Sequence, residues 1–367
     1  METVVVNATA LDASGALTIL NQFIENIPEH NVTYIIFISD KFNTPKLYSN
    51  NITFIPVTIK SWYSRIYWDF YGLNQWLKKN LITPKLIISL QNTSIYSSKG
   101  INQVIYLHQP IPFHKKKWKF YKRDEYKLFL YKKFYSRFIF LFINDETLFF
   151  VQTNWMKVEL QKKGISKNKI RVLAPDFKSI DISSVKNVII PKAEKVIFYP
   201  AMPLAYKNHI EIVNALYFLK SRGVYINNIL CVFTINKGDN LFLLEKIEEY
   251  GLIDNFYFIG KITYKEVLSL YKQCTVVMFP SYIESFGLPL REAALFGKPI
   301  IASDENYARE VLLNYSGVTF VKAGCPEQWA NALVDEINKN IKYPCMINIS
   351  SSSWELFFNY IESEAMK

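Results

Sequence analysis

Residues 279–304 read FPSYIESFGLPLREAALFGKPIIASD. An apolar run, Thr275 to Phe279, leads into the stretch and stops at Pro280 and Ser281. From Leu288 to Phe296 the apolar spacing turns helical, Gly297 ends it, and Pro299 to Ala302 starts a new apolar run. The pattern is strand, loop, helix, strand. Glu284 falls in the loop and Glu292 early on the helix. Both are expected to face a ligand at the helix N-terminus, where unpaired N–H groups attract phosphate.

The same alternation extends through the chain. Val4–Ala8, Val32–Ser39, Ile52–Val57, Leu86–Leu90, Val104–Leu107 and Ile170–Leu173 read as buried strands, with helices expected over Ala16–Ile27 and Trp62–Lys79. Residues 176–194 lose the rhythm and are the expected linker. It resumes with strands at Val196–Tyr199, Ile229–Ile235 and Phe256–Ile259, and with helices at His209–Arg222, Leu241–Tyr250 and Tyr264–Gln273. Strands that alternate with helices imply parallel sheets covered on both faces, with ligands at the carboxyl ends of the strands. The expected organisation is α/β with a domain over 1–187, a second over 188–350, and a final helix in 351–367.

The chain has 367 residues and a net charge of +11. Residues 1–187 hold 26 Lys and Arg against 13 Asp and Glu, and the remainder 17 against 19. The excess therefore belongs to the first half and implies an anionic partner. Cys231, Cys274, Cys325 and Cys345 form no C-x-x-C pair, so free thiols in a reducing cytosol are expected. The opening METVVVNATALDASG lacks the features of a signal peptide, and no run reaches the ~18 apolar residues that span a bilayer. There is no G-x-G, no P-loop and no D-x-D.

Two glutamates eight positions apart are often plain surface charge. Here the surrounding residues add specificity. The run P-S-x-x-E-x-F-G-L-P-x-x-E-A, with its G-x-P-I-I-A-S-D tail, resembles the E-x7-E signature of retaining GT-B glycosyltransferases, the family 4-like group that includes mannosyl- and rhamnosyltransferases. The resemblance implies two Rossmann-like, doubly wound domains facing a cleft, with the C-terminal helix crossing back to the first domain. It implies that Glu292 contacts the ribose of a nucleoside-diphosphate sugar, GDP- or UDP-linked, and that Glu284 lies against the sugar ring. Backbone amides at Ser285, Phe286, Gly287 and Leu288 would hold the diphosphate and sugar.

Tyr199–His209 (YPAMPLAYKNH) resembles the family's strand, loop and K-N or K-G element. Lys207 would neutralise the leaving diphosphate. Many relatives carry an arginine a few residues earlier. None of Met202, Pro203, Leu204, Ala205 and Tyr206 is basic, and Lys261 is a candidate substitute. Asp12-Ala13-Ser14-Gly15 resembles the small-residue loop before the family's first long helix, with Gly15 allowing phosphate to approach. His108, in YLHQPIPFH, stands where a family histidine lies near the sugar; a lone histidine is otherwise more often structural, and His114 has weaker warrant. No metal site and no bound cofactor are implied.

From Lys115 to Arg137, ten Lys and Arg stand against two Asp and Glu, interleaved with aromatic residues. A solvated surface helix and nucleic-acid binding are the alternatives. The preferred reading is an interfacial helix on an anionic membrane, without nucleic acid. Together with the resemblance this implies a metal-independent enzyme on the inner face of the cytoplasmic membrane. It would transfer a hexose to a polyprenyl-diphosphate-linked oligosaccharide of a bacterial O-antigen or capsule. A sugar-nucleotide epimerase and a non-catalytic nucleotide-sugar-binding protein are the rival readings.

Overall fold

The computed structural model of the chain describes residues 2–12, 14–29, 32–44, 49–97, 101–122, 125–177, 185–339, 341–346 and 353–365. It divides into two compact units, Met1–Phe177 with Ile349–Lys367, and Lys178–Asn348. Ala13 of the expected small-residue loop, and residues 178–184 of the expected linker, lie outside the described residues.

The first unit carries seven strands: β1 (Glu2–Ala8), β2 (Val32–Ser39), β3 (Ile52–Val57), β4 (Leu86–Ser89), β5 (Asn102–Leu107), β6 (Leu148–Val151) and β7 (Ile170–Val172). Its helices are α1 (Ser14–Glu25), α2 (Trp62–Tyr67), α3 (Leu73–Lys79), α4 (Tyr126–Phe140) and α5 (Asn154–Lys162). The sheet is parallel throughout, in the order β3-β2-β1-β4-β5-β6-β7. Runs such as VTYIIFIS are apolar on both faces because helices cover both sides of a parallel sheet. Val4, Val6, Tyr34 and Ile36 face α1 on one side, while Val5, Phe37 and Ile87 pack with Leu73 and Leu77 of α3 on the other.

α2 and α3 are not one uniform helix. A π turn, Trp68–Gly72, joins them, so residues 62–79 run as a continuous rod with one widened turn. Ser61 and Ser64 cap its start reciprocally, which satisfies two of the free N–H groups of the first turn.

The second unit has a six-stranded parallel sheet in the order β10-β9-β8-β11-β12-β13. Its strands are β8 (Lys195–Tyr199), β9 (Ile229–Phe233), β10 (Phe256–Phe258), β11 (Val276–Phe279), β12 (Ile300–Ser303) and β13 (Val318–Val321). Its helices are α6 (Ile210–Ser221), α7 (Leu241–Glu249), α8 (Tyr264–Gln273), α9 (Leu288–Leu295), α10 (Asn306–Val311) and α11 (Pro326–Lys339). A capping box between Thr263 and Glu266 starts α8. Ahead of β8, residues 185–194 are irregular and held from α8: Ser269 Oγ accepts from Val188 N at 2.7 Å and Lys272 Nζ donates to the Val185 carbonyl at 2.9 Å.

The final helix, α12 (Ser353–Tyr360), belongs to the first unit. Trp354, Phe357, Phe358 and Ile361 join the core under Val4 and Tyr34. The Trp354 ring stacks on Tyr106 at 5.2 Å, and its Nε1 donates to Gln22 Oε1 at 3.0 Å. Each such aromatic side chain contributes about 2–3 kcal/mol by burial, so the first unit's core is built from both ends of the chain. Among the described residues no helix is long and apolar enough to cross a membrane.

Each sheet has one place where the strand order reverses direction. In the first unit it lies between β1 and β4, and in the second between β8 and β11. Connections leave toward opposite sides there, so the carboxyl ends of those two strands open a crevice.

Candidate functional site

The second unit's crevice is bounded by the loops that follow β8 and β11. Tyr282 N donates to the Tyr206 carbonyl at 2.9 Å and binds the two loops together. Across this junction Lys207 Nζ donates to Glu284 Oε1 at 2.5 Å, and Ser281 Oγ donates to the same oxygen at 2.8 Å. The lysine and glutamate side chains are only 12% and 14% exposed. A charge-assisted bond in such a place is stronger than one on the surface. Loss of either partner strands the other as a poorly solvated charge, at a cost of roughly 3–5 kcal/mol when burial is complete.

Local backbone chemistry places each partner. Lys207 ends a 3-10 turn, Ala205–Lys207, and Asn208 follows at φ 56. Only glycine and a few residues such as asparagine adopt that left-handed region readily, which gives a physical reason for K-N or K-G here. Asn208 Nδ2 donates to Glu211 Oε2 at 3.0 Å, and that oxygen also accepts from Gly324 N at 2.9 Å. Tyr199 holds the Lys207 carbonyl through its hydroxyl at 2.6 Å, and Tyr307 holds that of Ser281 at 2.7 Å. His209, just past the lysine, is pushed down to about 3, first by burial and then by the Lys207 cation. It is neutral and packs its ring against Tyr199 and Phe233.

Gly287 caps α9 at φ 88. A Cβ there would lie 3.3 Å from the Tyr307 ring, so both backbone conformation and space favour glycine. Phe286 is buried, whereas Ser285 and Leu288 are half-buried around it. The first turn of α9 carries no acidic side chain. No carboxylate there competes with an anion for the helix end, although Pro289 supplies no N–H and the Leu290 N–H donates to the Gly287 carbonyl at 2.9 Å.

Glu292, one turn into α9, is 9% exposed. Tyr271 of α8 donates to its Oε2 at 3.1 Å. Burial pushes the carboxyl up to about 7, against the opposing hydrogen bonds from Tyr271 and Tyr264. The two glutamates thus belong to separate networks: Glu284 is tied across the crevice to the β8 loop, and Glu292 back to α8.

The remaining residues expected at the site are spread over both units. Gly15 is exposed in the first turn of α1 rather than in the preceding loop, because the helix begins at Ser14. Lys261 is exposed just past β10, the edge strand, after Gly260 at φ 77. His108 follows β5. Its backbone N–H donates to Asn92 Oδ1 at 2.6 Å, and its Nε2 lies 3.0 Å from the Leu90 carbonyl. The same Nε2 also faces Asn92 Nδ2 at 3.2 Å. Burial, the larger cause, and the Arg65 charge hold His108 down to about 4. His114 instead turns its Nδ1 to Lys116 N at 3.1 Å.

Among the described residues the basic stretch is helical from Tyr126 to Phe140, so the expected interfacial helix does not extend over Lys115–Lys122. Lys115–Lys119 run as an irregular segment before it. Lys132 of α4 donates to the His114 and Lys116 carbonyls and holds that segment in place. Trp118 is buried while Phe120 and Tyr121 stand out, 64% and 68% exposed.

Sequence reasoning missed Ser281, Tyr271, Tyr264 and Tyr307, whose roles exist only through contacts made in the folded chain. It also missed Asp69, which is buried at the first unit's crevice.

The folded-state value of Glu292 lies above its ordinary value of 4.5. The folded protein therefore holds a proton that the unfolded chain has lost between those two pH values. Stability from this group is complete below pH 4.5 and is lost as pH rises to about 7. Glu292→Gln is expected to remove that dependence and to stabilise the protein at pH 8 relative to wild type, by on the order of 3 kcal/mol. Urea unfolding midpoints at pH 5 and pH 8 measure it.

Comparison with known proteins bears directly on this second unit. Residues 182–348 match the family model for glycosyl transferases group 1. The O-antigen chain mannosyltransferase RfbU of Salmonella typhimurium is 26% identical over 149 residues, which are 40% of this chain and 40% of that protein. The chain thus matches about two fifths of that relative's length. Among solved structures, WaaG, a glycosyltransferase involved in lipopolysaccharide biosynthesis, superposes with a TM-score of 0.66 at 14% identity, covering 99% of this chain and 96% of that one. HepE of Anabaena, in complex with UDP and glucose, gives 0.62 at 13% identity over 99% and 95%. The two parallel-sheet units thus match the GT-B fold, and residues 182–348 resemble the glycosyl transferases group 1 domain.

Proposed function

We propose that the chain is a retaining hexosyltransferase of surface polysaccharide biosynthesis. It takes the hexose from a GDP- or UDP-linked sugar and passes it to an oligosaccharide on a polyprenyl diphosphate. The observation that carries this reading is the Lys207–Glu284 pair over the crevice between β8 and β11, beside the N-terminus of α9. That arrangement offers a cation, an anion-binding helix end and a carboxylate within one loop junction.

In this reading the diphosphate lies against the backbone amides from Ser285 to Leu288, at the entry to α9, where Gly287 leaves room for it. Lys207 turns from Glu284 to the phosphates. The anomeric carbon–oxygen bond to the diphosphate breaks, and the acceptor oxygen bonds to that carbon on the same face. The acceptor proton passes to the departing phosphate oxygen. Lys207 stabilises the charge that gathers there, the role of a fixed electrostatic group in a transition state. Charge neutralisation is assigned to lysine rather than to a divalent ion, with Lys261 as the candidate second cation.

Once Lys207 turns to the phosphates, Glu284 keeps the Ser281 bond on Oε1 and accepts from sugar hydroxyls through Oε2. The course is front-face, with a double displacement at Glu284 as the rival. Glu292 accepts from the ribose. His108, neutral, is assigned to the sugar, and Gly15, in the first turn of α1, to the close approach of phosphate. The family match, the relative named for O-antigen mannosyl transfer and the neighbour solved with UDP and glucose support the donor class. The basic surface from Lys115 to Arg137, with Phe120 and Tyr121 exposed at its start, is assigned to the inner face of the cytoplasmic membrane.

Incubation with radiolabelled sugar nucleotides, with and without lipid-linked oligosaccharide, tests the reaction. Acceptor-dependent transfer is expected, and Lys207→Ala and Glu284→Ala each lower it by about 10²–10³-fold. Isomerised donor without acceptor, or wild-type rates in both variants, would sink the reading. Replacing Lys115, Lys116 and Lys117 with glutamate is expected to abolish co-sedimentation with phosphatidylglycerol vesicles; unchanged co-sedimentation would remove the membrane assignment.

A further inference from the structure

The rod of residues 62–79 has two faces of opposite character. Its inner face is locked to the crevice between β1 and β4. Asp69, on the π turn and 5% exposed, accepts from Asn7 Nδ2 at 2.8 Å, Gln91 Nε2 at 2.8 Å and Thr93 Oγ1 at 2.7 Å. Three donors converging on one side chain suit a carboxylate, which only accepts. Arg65 adds bonds to the Gln91 carbonyl at 2.5 Å and to the Tyr135 hydroxyl at 3.1 Å. Trp68 Nε1 donates to Asn7 Oδ1 at 3.2 Å. The rod is therefore fixed in rotation, and its outer face is a fixed surface.

That outer face is a row of tyrosines. Tyr63, Tyr67 and Tyr71 are 79%, 56% and 56% exposed, with Trp62 beside them at 41%. Steps of four overshoot the 3.6-residue turn of an α-helix, so such a row normally drifts around the rod. A π turn is wider, and four residues undershoot it. The turn at Trp68–Gly72 thus brings Tyr71 back toward the line of Tyr63. Gly72 is needed there, since a Cβ would sit 2.6 Å from the Trp68 ring.

From Ser61 to Gln75, no fully exposed position carries a charge. This stands out in a half-chain that is otherwise strongly basic. Solvent-facing aromatic rings in a continuous row mark an interaction surface. We propose that the row binds a neutral oligosaccharide, the sugar portion of the acceptor; this rests on the transferase reading. Sugar rings present C–H faces that stack on aromatic rings and hydroxyls that pair with phenols and amides. The Tyr67 and Tyr71 ring centroids lie 6.0 Å apart, and the Tyr67 hydroxyl already reaches Gln75 Oε1 at 3.4 Å. Successive pyranose rings can therefore each meet an aromatic ring. An anionic lipid surface would call for cations along the row; here the exposed ones, Lys60, Lys78 and Lys79, flank the tyrosines at the two ends, and the larger cluster lies on the Lys115–Arg137 surface. A second copy of the chain would bury such rings against apolar side chains, and hydroxylated rings this exposed suit a hydrated ligand better.

The test uses the full chain and the triple variant Tyr63→Ser, Tyr67→Ser, Tyr71→Ser. Its sites are solvent-facing, and a thermal melt checks that the fold is kept. Calorimetry with a panel of neutral manno-, malto- and galacto-oligosaccharides, without donor, is expected to show binding by wild type to at least one of them. The variant should bind that sugar at least about tenfold more weakly, a loss of 1.4 kcal/mol, with unchanged affinity for GDP and UDP. No binding by wild type across the panel, or equal binding by the variant, overturns the proposal. So does a variant that loses a wild-type dimer in sedimentation, or that loses phosphatidylglycerol vesicles while keeping the sugar. If wild type binds the sugar through these tyrosines yet transfers no hexose, the transferase reading fails and the binding row stands.

Discussion

Lys207 and Glu284 are 77 positions apart in sequence and meet at 2.5 Å because β8 and β11 are neighbours in a parallel sheet. The contact depends on where that sheet changes direction. Only at that point do two loops leave adjacent strands toward opposite sides and open a crevice. Tyr199, Tyr206, Ser281 and Tyr307 then hold the loop backbones, so the ion pair rests on a built support. In the proposed function an incoming diphosphate competes for this lysine, and the carboxylate is then freed toward neutral hydroxyls.

The first unit fills its own crevice differently. Asp69 is satisfied by three neutral donors and sits below the surface. It serves as an anchor that fixes the rod of residues 62–79, and through Gln91 Oε1 it orders Thr9 and the Ala10 amide at the end of β1. One sheet plan therefore yields two devices. In the second unit the crevice holds an exchangeable charge pair, and in the first it holds a rigid polar clamp whose outer side presents tyrosines.

Much of this was legible in the sequence. Apolar runs bounded by glycine and proline gave the strands. The motif from Pro280 to Ala293 was specific because each residue has a local duty: Gly287 must adopt positive φ, and Glu292 must lie one turn into the helix. What stayed hidden depends on distant contacts. Nothing near Glu292 announces Tyr264 and Tyr271, which come from α8 and surround its carboxyl. Helical periodicity over Trp62–Lys79 was visible, but the π turn follows from packing Trp68 over Gly72. The basic stretch shows the limit of composition most clearly. Its charge reads as one helix, yet the helix starts only at Tyr126, and Lys132 spends its ammonium on two carbonyls of the preceding segment.

The central claim is that Glu284 and a nucleoside diphosphate compete for Lys207. Calorimetric titration of GDP and UDP into wild type and Glu284→Gln tests it most directly. Loss of the carboxylate charge should free the lysine and tighten binding of the preferred nucleotide several-fold, even though sugar transfer falls. Binding that is unchanged or weaker in Glu284→Gln would contradict the claim, because the lysine would then owe nothing to the phosphates that it is said to receive.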